Sequence, residues 1–103
     1  MWNTKSTKGK YVYENVEEFP FIFKPNTVYI EGTKKQKWTA ALICPCGCNE
    51  IIFLNLLNNV SPYWKITTHW FNNVSISPSI NRKFGCRSHF ILRNGCIYWS
   101  SYY

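Results

Sequence analysis

The spacing of the cysteines constrains this chain more than any other feature. Three cysteines lie within residues 44–48, which read CPCGC, and Cys86 lies far along the chain in the run CRSHF. Four soft thiol donors predict a tetrahedral metal site, and zinc is the usual ion in such sites. Zinc–sulfur distances are ~2.3 Å, whereas alternate residues of a straight strand are roughly 6.6 Å apart. The segment 44–48 must therefore turn, and its proline and glycine favour a tight turn.

Disulfide bonds are the alternative use of these thiols. A disulfide between Cys-x-Cys neighbours is strained, and the N-terminal residues lack the apolar stretch of a secretory signal. We therefore expect a cytoplasmic protein with reduced thiols, which bind metal instead of pairing. Four thiolates close the coordination shell of zinc and leave no position for a catalytic water. The sequence predicts a structural zinc ion bound by Cys44, Cys46, Cys48 and Cys86.

Length and composition predict one small β domain. The chain has 103 residues, of which 18% are aromatic, and such content favours strands. We expect a mainly β fold, a small single-domain antiparallel β-sheet or sandwich stabilised by the four-cysteine zinc site. Residues 1–10 are predicted to be a polar basic leader and residues 11–103 the zinc-stabilised domain. No apolar run is long enough to span a bilayer, so no membrane partner is expected.

The net charge of +7 raises the possibility of a nucleic-acid partner. Many of the lysines, however, lie in the leader and in an apparent turn at 32–36 and its flank, and basic turns are usually solvated surface. A zinc-ribbon nucleic-acid binder would also have paired CxxC motifs, which this chain lacks. The sequence therefore disfavours nucleic acid as the partner.

Periodicity and turn residues predict the strands. A pair of asparagines, Asn72 and Asn73, predicts a two-residue hairpin, and residues 77–85 are expected to form an irregular connection. The proline-flanked segment 19–25 is expected to be an edge or a loop. The predicted strands are 11–13, 27–31, 37–43, 50–57, 63–71, 74–77, 89–93 and 96–100.

The last hairpin has the strongest local signal, because Asn94 and Gly95 are typical of a two-residue hairpin loop. Its register pairs residue 93 with 96 and 90 with 99, which places His89 and Cys96 on the outer face. Cys96 is four positions along the strand from His89, or roughly 13 Å, so it stays outside the metal site. The opposite face is wholly apolar and is predicted to face the core; it consists of Phe90, Leu92, Ile97 and Trp99.

Several segments together resemble a known family, the small CPCGC proteins of the BubE group found beside bacterial ubiquitination-like conjugation genes. The resemblance runs from about residue 28 to 99 and is carried by CPCGC at 44–48, SPSI at 77–80 and GCRSHF at 85–90. Family members often have glycine where this chain has Asn49. The resemblance implies a zinc-bound domain that acts as a serine-type peptidase. It further implies that the substrate is the C-terminus of a ubiquitin-like protein or its conjugates, with E1-like and E2-like proteins as further partners.

A serine peptidase needs a base that takes the proton of the serine hydroxyl, and histidine is the usual base. His89 lies on the predicted non-core face beside the cysteine cluster, so it is a candidate base, although it could also be a zinc ligand or a structural residue. His69 would lie in the predicted 72–73 hairpin on a face with other apolar side chains, which favours a structural role. Those side chains are Phe71, Val74 and Ile76.

Ser79 and Ser88 are the candidate nucleophiles. Ser88 is adjacent to His89, and neighbouring side chains on a strand point to opposite faces, so a direct bond between them is awkward. Ser79 can approach His89 from the irregular connection, although it could also be a turn residue that bonds its own backbone. The candidate catalytic residues are therefore His89, Ser79 and Ser88.

Two questions stay open at the level of sequence. No aspartate follows Glu50, so the group that orients the base would come from an upstream acid, from Asn81 or from a backbone carbonyl. A non-catalytic zinc module that binds a conjugation protein would use the same cysteines, with Ser79 and His89 in structural roles.

Overall fold

The computed structural model describes residues 4–5 and 9–100, and this part of the chain is almost entirely β. It contains one short 3-10 turn, Trp70–Asn72, in addition to nine strands. The prediction of a mainly β fold is confirmed. The strands are β1 (Thr4–Lys5), β2 (Val12–Val16), β3 (Thr27–Gly32), β4 (Lys37–Ile43), β5 (Ile51–Asn55), β6 (Lys65–Thr68), β7 (Val74–Asn81), β8 (His89–Arg93) and β9 (Cys96–Trp99).

The strands form two sheets. One has the order β1-β9-β8-β7-β6 and the other the order β2-β3-β4-β5. Neighbouring strands are antiparallel except β2 and β3, which run parallel. The sequence predicted a strand at 11–13 that ends before the acidic residues, but β2 continues to Val16. Glu14 is tolerated within β2 because β2 is an edge strand and this side chain is exposed, where it accepts a hydrogen bond from Lys24 Nζ at 3.0 Å.

Both sheets contribute to a single buried apolar cluster, so the domain is a β-sandwich. Cys44 is part of this cluster and is 2% exposed, which places the first predicted ligand at the margin of the core. The cluster consists of Tyr11, Val28, Ile30, Ala40, Leu42, Cys44, Ile52, Leu54, Val74, Ile76, Ile80, Phe90, Leu92 and Ile97.

The hairpin of β8 and β9 has the predicted register. Phe90 is paired with Trp99 and Leu92 with Ile97, across the loop of Asn94 and Gly95. Three of the four predicted core side chains are at most 1% exposed, and the fourth, Trp99, is half-buried and packs against the cluster. The alternation of apolar and polar residues is therefore sufficient to fix this pairing.

The predicted hairpin at 72–73 is wrong. Strand β6 ends at Thr68, which pairs with Val74, and residues 69–73 form a five-residue loop. This register aligns Ile66 with the buried Ile76, whereas a two-residue loop would place a histidine opposite Ile76. His69 therefore lies in the loop, and Phe71, its predicted face neighbour, is 92% exposed.

The expected irregular connection after residue 77 is also wrong in part, because β7 continues to Asn81. Its pairing with β8 shifts between Ile76, which faces Leu92, and Ile80, which faces Phe90. Three residues of β7, 77–79, thus stand opposite one residue of β8, which is a bulge. Ile76 and Ile80 both face the core, while the residues between them lie outside the regular pairing with β8.

Residues 1–3 and 6–8 of the predicted leader, and residues 101–103 of the predicted domain, lie outside the described residues. Within the leader, Thr4–Lys5 pairs with Trp99 and Tyr98 of β9. Among the described residues, no helix is long and apolar enough to cross a membrane.

Candidate functional site

Two loops, one from each sheet, bring the four predicted metal ligands together. The turn between β4 and β5 carries three of the cysteines, and it is closed by a hydrogen bond from the amide of Cys44 to the carbonyl of Glu50 at 2.8 Å. The loop between β7 and β8 carries Cys86, and the amide of Arg82 donates to the carbonyl of Ser88 at 2.8 Å across its base. Gly47 adopts a φ of 96° within the first turn, a conformation that glycine accepts at low cost.

The four sulfurs lie close enough together to bind a single metal ion. All lie within 4.8 Å of one another, with Cys44 Sγ at 3.4 Å from Cys46 Sγ and 3.6 Å from Cys86 Sγ. Zinc–sulfur bonds of ~2.3 Å imply sulfur–sulfur separations of roughly 3.8 Å in a tetrahedron. The cluster can therefore hold a metal ion. Cys96 is buried elsewhere and does not belong to the cluster.

The thiols of the cluster differ in acidity because their surroundings differ. Burial raises the pKa of Cys44 to about 12. Burial also acts to raise the pKa of Cys86, but hydrogen bonds from the side chain and backbone of Ser88 outweigh it and lower that pKa to about 6. Without a metal, Cys86 is therefore the first of these two thiols to become a thiolate, which is the form that binds metal.

The side chains of Ser88 and His89 serve different neighbours. Ser88 Oγ lies 3.0 Å from Cys86 Sγ and 3.8 Å from Cys44 Sγ, so its hydroxyl faces the thiol cluster. His89 is the first residue of β8, and its ring nitrogens are not among the grouped ligand atoms of the described residues. The two adjacent side chains thus have different contacts.

The structure brings Ser79 and His89 together. Ser79 Oγ is 3.1 Å from His89 Nε2, within the range in which a histidine can take a hydroxyl proton. Asn81 is directly opposite His89 in the sheet, so Ser79, two residues before Asn81, is its diagonal neighbour across the strands. The carbonyl of Ser79 accepts a hydrogen bond from Trp64 Nε1 at 3.3 Å, which helps to fix the bulge.

A cavity of about 590 Å³ is lined by His89 but not by Ser79. His89 both contacts Ser79 and forms part of the cavity wall, so a ligand in the cavity would lie against the imidazole. A larger cavity of about 690 Å³ lies beside β2 and the β3–β4 turn, but its lining contains no serine, cysteine or histidine. The cavity at His89 is lined by Asn81, Cys86, Arg87, Ser88, His89, Trp99 and Ser100.

The comparisons with known proteins give one match. Residues 15–100 match the family described as "Bacterial ubiquitination-like system serine protease (BubE)". The chain belongs to the BubE family. A search of curated proteins and a search of solved structures gave no match. The resemblance inferred from the cysteine and histidine motifs of this BubE protein is therefore confirmed.

This BubE chain contains a second serine–histidine contact that sequence analysis missed. Ser75 Oγ is 2.8 Å from His69 Nε2, and it also accepts a hydrogen bond from the amide of Asn94 at 2.8 Å. The hydroxyl of Ser75 thus links the 69–73 loop to the β8–β9 turn. No motif around His69 indicated this contact, because the predicted register of β6 and β7 was wrong.

Arg82 is the other residue of the BubE site that sequence analysis missed. Its guanidinium is 3.5 Å from Cys86 Sγ, 3.7 Å from Cys48 Sγ and 3.2 Å from the carboxylate of Glu50. The sequence signal for this contact was that Arg82 lies four residues before Cys86 and Glu50 lies two residues after Cys48. In the sequence, Arg82 falls within the predicted irregular connection at 77–85, which indicates no role for it.

Proposed function

We propose that this BubE chain is a serine peptidase of the cytoplasm that cleaves at the C-terminus of a ubiquitin-like protein, either from a precursor or from a conjugate. Ser79 is the nucleophile and His89 the general base. The observation that carries this proposal is the 3.1 Å contact between Ser79 Oγ and His89 Nε2, in a chain whose family is described as a serine protease.

The reaction follows from this contact. Ser79 Oγ attacks the carbonyl carbon of the scissile bond while His89 Nε2 takes the hydroxyl proton. His89 then gives that proton to the leaving amine, and the C–N bond breaks to leave an acyl ester on Ser79. A water molecule, deprotonated by His89, attacks the ester carbon. The bond from this carbon to Ser79 Oγ breaks, His89 returns the proton to Ser79 Oγ, and the C-terminal carboxylate is released. Asn81, opposite His89 and in the wall of the same cavity, is placed to help orient the imidazole or the substrate.

The four cysteines of the cluster would hold zinc in a structural role. Thiolate sulfurs at the observed separations suit this ion, and a shell of four leaves no open position. When bound, zinc supplies folding free energy by linking the two ligand-bearing loops. The ligand set is Cys44, Cys46, Cys48 and Cys86.

The cavity at His89 suits the tail of a protein substrate. At about 590 Å³ it is within the usual range for ligand pockets, so it can take a few residues of an extended chain but not a folded domain. A ubiquitin-like protein would dock outside it. Since the family belongs to a ubiquitination-like system, E1-like and E2-like proteins are the further partners that we propose.

A fluorophosphonate probe tests the nucleophile without knowledge of the natural substrate. The activated serine displaces fluoride from phosphorus and keeps the probe, so mass spectrometry of the digested protein identifies the residue. We expect labelling at Ser79 that Ser79→Ala and His89→Ala both abolish. The same variants should lower cleavage of a ubiquitin-like protein with a C-terminal extension by at least 10²–10⁴-fold, with zinc content and melting temperature nearly unchanged.

The second serine–histidine pair provides a matched control. Ser75→Ala and His69→Ala remove the same chemical groups at a similar separation, and both variants should be labelled and should cleave as the wild type does. Ser88→Ala should have a milder effect than Ser79→Ala, because its hydroxyl faces the sulfurs. Labelling of Ser75 or Ser88, or loss of zinc in His89→Ala, would contradict the assignment.

The non-catalytic alternative predicts a different outcome of the same experiment. A binding module would retain a ubiquitin-like protein on a column but would neither cleave it nor react with the probe. In that case Ser79→Ala would leave binding unchanged and the contact with His89 would be structural.

A further inference from the structure

Arg82 occupies a position between the two loops that carry the thiols. Its Nη1 donates toward Cys86 Sγ at 3.5 Å, in its own loop, and toward Cys48 Sγ at 3.7 Å, in the turn of the other sheet. Its Nη2 lies 3.2 Å from Glu50 Oε1, and only 18% of the Arg82 side chain is exposed. One guanidinium thus contacts three groups, one in the β7–β8 loop and two in the β4–β5 turn of the other sheet.

The charges at this position are otherwise unfavourable. Four thiolates around a divalent ion leave two excess negative charges, and the carboxylate of Glu50 is 3.8 Å from Cys48 Sγ. Arg82 is the cation that the described structure places in contact with both the sulfurs and this carboxylate. Hydrogen bonds from an arginine to thiolates reduce the charge on sulfur and hold the ligands in place.

The backbone is shaped to admit this contact. Gly85 has a φ of 67°, and a Cβ at this position would lie 2.7 Å from Glu50 Oε1 and 3.8 Å from Arg82 Nη2. The glycine therefore leaves room for the carboxylate beside the guanidinium. The amide of Arg82 also closes the loop by donating to the carbonyl of Ser88, so the backbone and the side chain of this residue both restrain the segment that bears Cys86.

We propose that Arg82, held by Glu50, is a positioning residue of the metal centre that controls how tightly the four cysteines retain the ion. This role goes beyond the proposed peptidase activity and does not depend on it. A planar guanidinium has several donors in a fixed fork and can serve the carboxylate and the sulfurs at once. A lysine has the charge but presents a single ammonium, so it can replace only part of the function.

The test measures release of the metal instead of catalysis. Zinc-loaded wild type and Arg82→Gln are mixed with an excess of a coloured chelator, and the rate of zinc transfer is followed by absorbance. Loss of such outer-shell partners typically weakens metal affinity about 10–100-fold, so we expect release from Arg82→Gln to be faster by about 10-fold or more. Arg82→Lys should fall between the two proteins.

Arg87→Gln is the matched control. It removes the same charge from the same loop, next to Cys86, but the Arg87 side chain is exposed and, within the described part of the chain, makes no hydrogen bond to a sulfur. A surface charge of this kind contributes little, so Arg87→Gln should release zinc at the wild-type rate. Equal rates for Arg82→Gln and Arg87→Gln, or a wild-type rate for Arg82→Gln, would overturn the proposal.

A spectroscopic measurement separates positioning from general loss of stability. In the cobalt-substituted protein, loss of hydrogen bonds to sulfur makes the thiolates better electron donors, so the sulfur-to-cobalt band of Arg82→Gln should move to longer wavelength. Glu50→Gln keeps the test decisive if Arg82→Gln does not fold, because the Glu50 side chain is 53% exposed. It should release zinc faster than wild type, and an unchanged rate together with an unchanged band would refute the role.

Discussion

Of the single substitutions at the candidate metal centre, Cys86→Ser should most weaken the link between the two sheets and so lower the stability of the fold. Three of the four candidate ligands lie in the β4–β5 turn of one sheet, and Cys86 alone of the four comes from the other sheet. Its sulfur is 3.6 Å from that of Cys44 at the edge of the core. Cys86→Ser would therefore remove both the fourth donor and the link that a bound ion would make between the sheets.

The size of the effect follows from binding linkage. An ion that binds only the folded state stabilises it by about 2.7 kcal/mol at 100 times its dissociation constant and about 4.1 kcal/mol at 1,000 times. In a domain of 60–100 residues each 1 kcal/mol shifts the melting temperature by roughly 4–8 °C. We therefore expect chelation of the wild type to lower its melting temperature by roughly 10–30 °C.

Thermal unfolding followed by circular dichroism, with zinc and with chelator, measures this shift in three proteins. Cys96→Ser is the control, because Cys96 is also buried but lies outside the cluster. Chelator should lower the melting temperatures of wild type and Cys96→Ser by the same amount and leave that of Cys86→Ser unchanged. Stoichiometric zinc in Cys86→Ser, or equal sensitivity of all three proteins to chelator, would refute the proposed ligand set.

Two further predictions concern the core and the metal. Trp99→Ala should destabilise the protein by about 3 kcal/mol, the lower end of the range for such changes, since its half-buried ring packs against the core cluster and lies 5.6 Å from that of Phe90. Tyr98 is also half-buried, but it contacts the exposed Arg93 on the other face of the sheet, so Tyr98→Ala should cost about 1 kcal/mol. Equal losses in chemical denaturation would mean that the packing of the two faces is misassigned. Replacement of zinc by cobalt should leave the rate of peptide cleavage nearly unchanged, since a closed thiolate shell takes no part in the reaction. A large change in that rate would place the metal in the chemistry.

The parts of the fold that sequence predicted are those in which local signals agree with one another. In β8 and β9 the Asn94–Gly95 turn and the alternation of apolar residues specify the same register, and the structure has that register. In β6 and β7 they conflict, because the Asn72–Asn73 pair favours a tight turn whereas burial favours Ile66 opposite Ile76. Burial of the two isoleucines outweighs the turn preference, and the asparagines become part of a longer loop.

The candidate site shows the same division. The cysteine spacing was sufficient to predict that the four thiols lie together, because few arrangements of CPCGC and a distant cysteine bring four sulfurs within bonding distance of one ion. Contacts that depend on the path of an irregular strand could be predicted from the sequence only in part. The approach of Ser79 to His89 was expected from the side of a loop, but it occurs across a bulged strand, and the positions of Ser75 and Arg82 depend on registers that no local pattern specifies.

A short segment of chain connects the thiol cluster to the serine–histidine pair. Cys86 and Ser88 face the cluster, and His89 follows at once as the first residue of β8. An ion held by the cluster would therefore fix the start of β8 and with it the position of the imidazole relative to Ser79. Loss of the proposed activity on chelation would follow from this connection without any part for the ion in the reaction. The hydroxyl of Ser79 instead depends on the β7 bulge and on Trp64, so the two partners of the pair are held by different parts of the sandwich. Removal of the metal should therefore shift the position of His89 directly, but not that of Ser79.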